Sequence, residues 1–185
     1  MNGIEAFKTI ITILNREKIS YMVVGSFSSN YHGIPRSTKD ADIVLEFDEK
    51  SWDALSRSLP EDISLDEQGS FEMVTATRKE LLKVDGSAFE IELFHLSRDE
   101  FDQRRFARRE KVALHDLGEA WVATAEDVVV QKLRWAKSGG RSKDFDDVVN
   151  VIRRKGGRLD SEYIEKWCRK HGTLDLLARA REEAQ

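Results

Sequence analysis

The stretch Tyr21–Phe47, "YMVVGSFSSNYHGIPRSTKDADIVLEF", decides how the 185-residue chain is read. A short apolar run ends at Gly25-Ser26, a polar segment follows, and Asp40 and Asp42 stand one residue apart at the head of a second apolar run. Alternate side chains of a strand share a face, so Asp40, Asp42, Val44 and Glu46 fall on one side and Ala41, Ile43, Leu45 and Phe47 on the other, core side. Two carboxylates at i and i+2 lie about 7 Å apart, close enough to share a divalent cation. An acid pair opening a strand is also a common solvated edge, and D-x-D alone is a weak signal.

The neighbours of the pair strengthen it. Gly25-Ser26 closes a strand and opens a brief helix that Gly33 and Pro35 end, with Ser26 expected as the N-cap. Free N–H groups and the helix dipole at such a point favour a phosphate, and glycine lets a ligand approach the backbone. In "AFEIELF", Phe89, Ile91 and Leu93 share one face while Glu90 and Glu92 share the other, so one glutamate can supply a third carboxylate.

Around this segment the period of the apolar residues gives the outline. Ile4, Phe7, Ile11 and Leu14 predict an amphipathic helix over 3–18, and "KSWDALSRSL" a helix ended near Pro60. Strands are expected at 71–77, 80–84 and 87–94, the last two joined at Asp85-Gly86, and "KVALHDLGEAWVAT" as a hairpin turning near Leu117-Gly118. Beyond residue 123 the period becomes helical: Thr124 and Asp127 predict a capping box for a helix over 125–137, and helices near 142–155, 160–171 and 173–182 follow. The expected architecture is α/β (α+β), a mixed β-sheet flanked by helices, with a core over 1–123 and a helical region over 124–185 packed on it.

Charge is unevenly spread. Residues 40–100 carry 17 acids against 6 bases, whereas 132–158 carry 3 acids against 9 bases. That contrast suits metal-binding carboxylates facing a phosphate-binding surface, although solvated helix faces give the same pattern. Cys168 is the only cysteine, which excludes an internal disulfide and a cysteine-based zinc site. No apolar run approaches the ~20 residues of a membrane span, and no signal peptide is apparent, so a cytoplasmic protein is expected, with no membrane partner. The basic "RRFARREK" lacks the interleaved aromatics of a nucleic-acid module.

Taken together, "VGS" followed by thirteen residues and "DAD", with an acid on a later strand, resembles the nucleotidyltransferase superfamily related to DNA polymerase beta. "HGIPRSTKDADIVL" and "ATAEDVVVQKLRWAKSGGRSKDFDDVVNV" are most similar to its AbiEii-type branch, and the resemblance spans roughly residues 20–155. It implies transfer of a nucleoside monophosphate from an NTP to a hydroxyl acceptor (RNA, protein or small molecule) with release of pyrophosphate. Gly25 and Ser26 would hold the triphosphate, Asp40, Asp42 and Glu92 would bind two Mg²⁺ ions (or Mn²⁺), and Glu92 would assist deprotonation of the acceptor. Arg36, Lys132 and Asp144 would contact the nucleotide. The branch further implies a toxin role with an antitoxin partner; an inactive nucleotide-binding or interaction module with the same fold is the alternative. Lys132 also stands out on its own helix, inside an apolar arc with Val128, Val129, Trp135 and Ala136, where an ammonium needs an anion: a triphosphate or a carboxylate such as Asp144.

Overall fold

The computed structural model describes residues 1–72, 77–115, 117–140 and 142–185, with the side chains of 67–72 left aside. In chain order the elements are α1 (Gly3–Arg16), β1 (Tyr21–Val23), α2 (Gly25–His32), β2 (Asp40–Leu45), α3 (Glu49–Ser58), β3 (Ile63–Glu72), β4 (Thr77–Val84), β5 (Glu90–His95), α4 (Glu100–Arg108), β6 (Glu110–Leu114), β7 (Gly118–Val122), α5 (Ala125–Gly139), α6 (Ser142–Lys155), α7 (Ser161–His171) and α8 (Leu174–Glu183). The strands form one mixed sheet in the order β3-β4-β5-β2-β1-β7-β6.

Local chemistry explains most boundaries. Asn2 and Glu5 cap α1 reciprocally, and the helix stops at Arg16, short of the expected residue 18, because Lys18 adopts a left-handed φ of 56°. Leu82 pairs with Ile91 and Lys83 with Glu90 across the Asp85-Gly86 turn, and Leu114 pairs with Gly118 at the second hairpin. The strand expected over 71–77 falls partly on 73–76, outside the described residues. β3 instead begins at Ile63, pairing with Val84. Helix α4 was not legible as a helix, since Phe101 and Phe106 are its only buried apolar residues and the rest of that face is Asp102 and Arg105, an internal ion pair at 2.7 Å.

Both faces of the central sheet are covered. On one, Ala41, Ile43 and Leu45 of β2 meet Phe7, Ile10, Ile11 and Leu14 of α1. On the other, Met22, Val24 and Val44 join a second core with Val129 and Leu133 of α5, Val148 of α6 and Trp167 of α7. The face that carries Asp40 and Asp42 is therefore the one on which the C-terminal helices pack. Among the described residues no helix is long and apolar enough to cross a membrane.

Candidate active site

The acid pair opens β2, which runs parallel to β5 with Asp40 opposite Glu90 and Asp42 opposite Glu92. Parallel partners stand one strand spacing apart, ~4.8 Å, with side chains on the same face. Asp42 and Glu92 are thus immediate neighbours. Burial and then the charges of Glu92 and Asp40 push the Asp42 carboxyl up to about 7. Asp40 is exposed at the strand's first residue and accepts a hydrogen bond from Thr38 Oγ1 at 2.5 Å. Glu92 is held by Lys79 of β4, Nζ to Oε1 at 2.5 Å.

Gly25 meets Asp42 directly. The Val24 amide donates to the Asp42 carbonyl at 2.9 Å, and Gly25 then takes a φ of 58° as α2 begins. A β-carbon on Gly25 would lie 1.7 Å from Asp42 Oδ2, so the space beside this glycine belongs to the carboxylate. Ser26 is not the N-cap of α2: that place is taken by Val24, without a side-chain hydrogen bond. Inside the first turn, the Ser26 hydroxyl instead accepts a hydrogen bond from Arg36 at 3.1 Å.

A second charged cluster lies between α2, the Arg36 segment, α5 and α6. Asp147 of α6 accepts from Arg36 at two points, Nε to Oδ1 at 2.8 Å and an Nη to Oδ2 at 2.9 Å, and from the Ser29 hydroxyl at 3.2 Å. Lys132 of α5 reaches Asp144 at 2.8 Å and Asp147 at 2.9 Å. Lys132, Asp144 and Asp147 are all buried. Burial raises the Asp147 carboxyl, but the hydrogen bond from Arg36 and the charge of Lys132 outweigh it and hold it below the usual range. Of the two anions expected to satisfy Lys132, this structure supplies the carboxylate. Asp147 and Ser29 were missed as members of the cluster; the signal was the i, i+3 spacing that puts Asp147 on the same face of α6 as Asp144.

The histidines and tryptophans near the sheet pack as structural side chains. His32 is buried, with Nε2 2.7 Å from the Ala123 carbonyl, and burial drives its pKa down to about 4. His95 stacks on Phe47 and sits 3.5 Å from Glu80. Trp167 is buried, while Trp121 and Trp135 are partly so. Thr124 caps α5 by accepting from the Asp127 amide at 3.3 Å, but its hydroxyl also donates to the Asp127 carboxylate at 2.7 Å.

Other solved proteins share this fold. The solution structure of the antibiotic-resistance factor ANT(2'')-Ia superposes with a TM-score of 0.64 at 10% identity, covering 98% of this chain and 97% of that one. Its crystal structure in complex with adenylyl-2''-tobramycin gives 0.66 at 9% identity over 93% and 98%. An antigenic nucleotidyltransferase-like protein from Paracoccidioides brasiliensis gives 0.53 at 17% identity over 97% and 93%. The fold is the nucleotidyltransferase fold. No protein-family model matches the chain, and no curated protein sequence does. At these identities the likeness is one of fold.

Hard oxygen donors on adjacent parallel strands suit Mg²⁺ or Mn²⁺. The fit is supported by Asp42, in register with Glu92, whose carboxyl is pushed up by burial first and then by the charges of Glu92 and Asp40, a setting that a divalent cation would relieve. Among the described residues no three acids, imidazoles or thiols already converge as a ligand set. Asp40 Oδ1 accepts from Thr38 and Glu92 Oε1 from Lys79, contacts that would compete with a cation for those two oxygens.

Proposed function

We propose that this protein is a metal-dependent nucleotidyltransferase that moves a nucleoside monophosphate from an NTP to a hydroxyl acceptor. The observation that carries the reading is the in-register pair Asp42 and Glu92, with the Asp42 carboxylate seated against Gly25 where α2 begins. In this reading Asp40, Asp42 and Glu92 hold Mg²⁺, or Mn²⁺ in its place. A cation so bound supplies Lewis-acid polarisation of the phosphate and lowers the pKa of the acceptor hydroxyl.

The chain's own groups do the rest. Gly25 and Ser26 offer backbone N–H groups and a hydroxyl at the first turn of α2, and Arg36, 3.1 Å from that hydroxyl, adds a guanidinium for the phosphates. Lys132 and Asp144 stand behind Arg36 and set the charge of the pocket wall. The acceptor oxygen attacks the α-phosphorus, the bond from that phosphorus to the α–β bridging oxygen breaks, and pyrophosphate leaves. The acceptor proton passes to Glu92. A small hydroxyl-bearing molecule is one acceptor for this reading; the open groove of about 760 Å³ near the start of β2, lined in part by Thr38, Lys39, Ile4 and Phe89, lies on the α1 side of the sheet, away from the Asp42 carboxylate. ANT(2'')-Ia, crystallised with adenylyl-2''-tobramycin, makes such an acceptor reasonable here.

Membership of the AbiEii-type branch, and with it a toxin role opposed by an antitoxin, rests on "RSTKDAD" and the "KDFDD" segment. Incubating the protein with each labelled NTP, Mg²⁺ and separate RNA, protein and metabolite pools tests the activity. Label in one pool, dependent on Asp40 and Asp42, supports transfer. Label in none, with bound NTP, supports the inactive module, which the fully paired charges of Lys132 and Glu92 also suit. Growth arrest on expression, relieved by a neighbouring reading frame, would support the toxin role.

A further inference from the structure

The Lys79 ammonium lies beside the acid cluster from a strand to which no function was assigned. In β4, Lys79 faces Phe94 in register, and β5 carries Glu92 two residues before it. Nζ reaches diagonally to Glu92 Oε1 at 2.5 Å and sits 5.7 Å from the centre of the Phe94 ring. Both partners are about one-fifth exposed, so the pair is partly shielded without being sealed. Glu92 in turn faces Asp42, whose carboxyl stays crowded by acid neighbours. Lys79 is the cation in direct contact with Glu92, whereas Lys132 acts on Asp42 and Arg36 on Asp40 through space.

We infer that Lys79 is a displaceable internal counter-ion: it holds Glu92 Oε1 in the metal-free chain and competes with a divalent cation for that carboxylate. The inference rests on the metal-dependent reading above. Lys79 is a positioning residue in this account. It keeps the Glu92 side chain aimed along the sheet face, and the strength of the Lys79–Glu92 pair subtracts from metal affinity. The alternative for a half-exposed lysine is a plain cross-strand ion pair that no metal disturbs.

Binding of Mn²⁺ to the full chain without nucleotide, by isothermal titration, separates the two. Lys79→Met keeps the aliphatic stem over Phe94 and removes the charge; it should tighten Mn²⁺ binding roughly two- to fivefold, the scale of a partly exposed ion pair that no longer competes. Lys79→Arg keeps the charge and should stay near wild type. In a Glu92→Gln background, where the pair is already gone, Lys79→Met should give no such tightening. The rise in melting temperature on adding Mn²⁺ should likewise be larger for Lys79→Met than for wild type. Unchanged or weaker Mn²⁺ binding by Lys79→Met overturns the counter-ion role while leaving the metal site standing. Absence of Mn²⁺ binding by every variant and by wild type overturns the metal site itself, and the counter-ion role with it.

Discussion

Gly25 stands where Asp42 leaves no room for a side chain: a β-carbon there would fall 1.7 Å from Asp42 Oδ2. Its φ of 58° adds a conformation that L-residues adopt at a cost of ~1–2 kcal/mol. Gly25→Ala should therefore lower stability in urea denaturation by at least that amount and displace the Asp42 carboxylate, removing transfer activity. A variant as stable and active as wild type would mean that the turn does not hold Asp42.

Asp40→Asn and Asp42→Asn should each reduce transfer by orders of magnitude while the fold persists. Each keeps the shape of the side chain and removes a negative ligand. For Asp42 the change also relieves crowding by Glu92 and Asp40, so the metal-free variant should melt no lower than wild type at neutral pH. Full turnover in either variant would end the assignment of this pair.

Glu92, opposite Asp42, is the expected third carboxylate, whereas Glu90 pairs with the exposed Asp40 at the strand end. Glu92→Gln should abolish transfer and Glu90→Gln should not. The reverse outcome in a side-by-side assay would shift the site by one pleat repeat.

Lys132→Met should destabilise the chain by about 3–5 kcal/mol, because it strands two buried carboxylates, Asp144 and Asp147, of which only Asp147 keeps another cation. Adding Asp144→Asn should recover part of that loss in a double-mutant cycle. Equal stability of wild type and Lys132→Met would show that the ion pairs carry no net weight. Then the role of Lys132 would have to be read from NTP affinity alone.

His32 gives a pH test. Unfolded, it takes a proton near 6.5; folded, burial holds that event down to about 4. Between these values the unfolded chain binds more protons, so stability rises with pH across that window and is complete above it. His32→Gln retains a donor for the Ala123 carbonyl and should reduce the slope by up to one proton, ~1.4 kcal/mol per pH unit. His171, also lowered to about 4, titrates in the same range and leaves the variant a residual slope. An unchanged slope would exclude His32 as a contributor.

Legibility followed range. The alternation in "DADIVLEF" and the Asp85-Gly86 turn are local, and their strands came out in place. The Asp42–Glu92 neighbourhood needed only the guess that two acid-bearing strands lie side by side. What escaped was nonlocal or locally ambiguous. A basic run with two phenylalanines hid α4, whose buried face includes an ion pair that no apolar period reveals. Ser26 read as a cap because serine favours caps, yet α2 begins at Gly25, where φ is positive, with Val24 as its cap, two residues earlier. Asp147 carried only the signal of an acid in a helix's opening turns; its grip on Arg36 depends on tertiary packing.

That grip spans 111 residues of chain. During synthesis Arg36 leaves the ribosome long before Asp147 exists, and Met22, Val24 and Val44 emerge without the α5–α7 residues that will cover them. A sheet without those helices would present that apolar face to solvent. Truncation before α6 should therefore yield an aggregating fragment, because the cover for Met22, Val24 and Val44 is encoded more than a hundred residues downstream of the sheet's first strand.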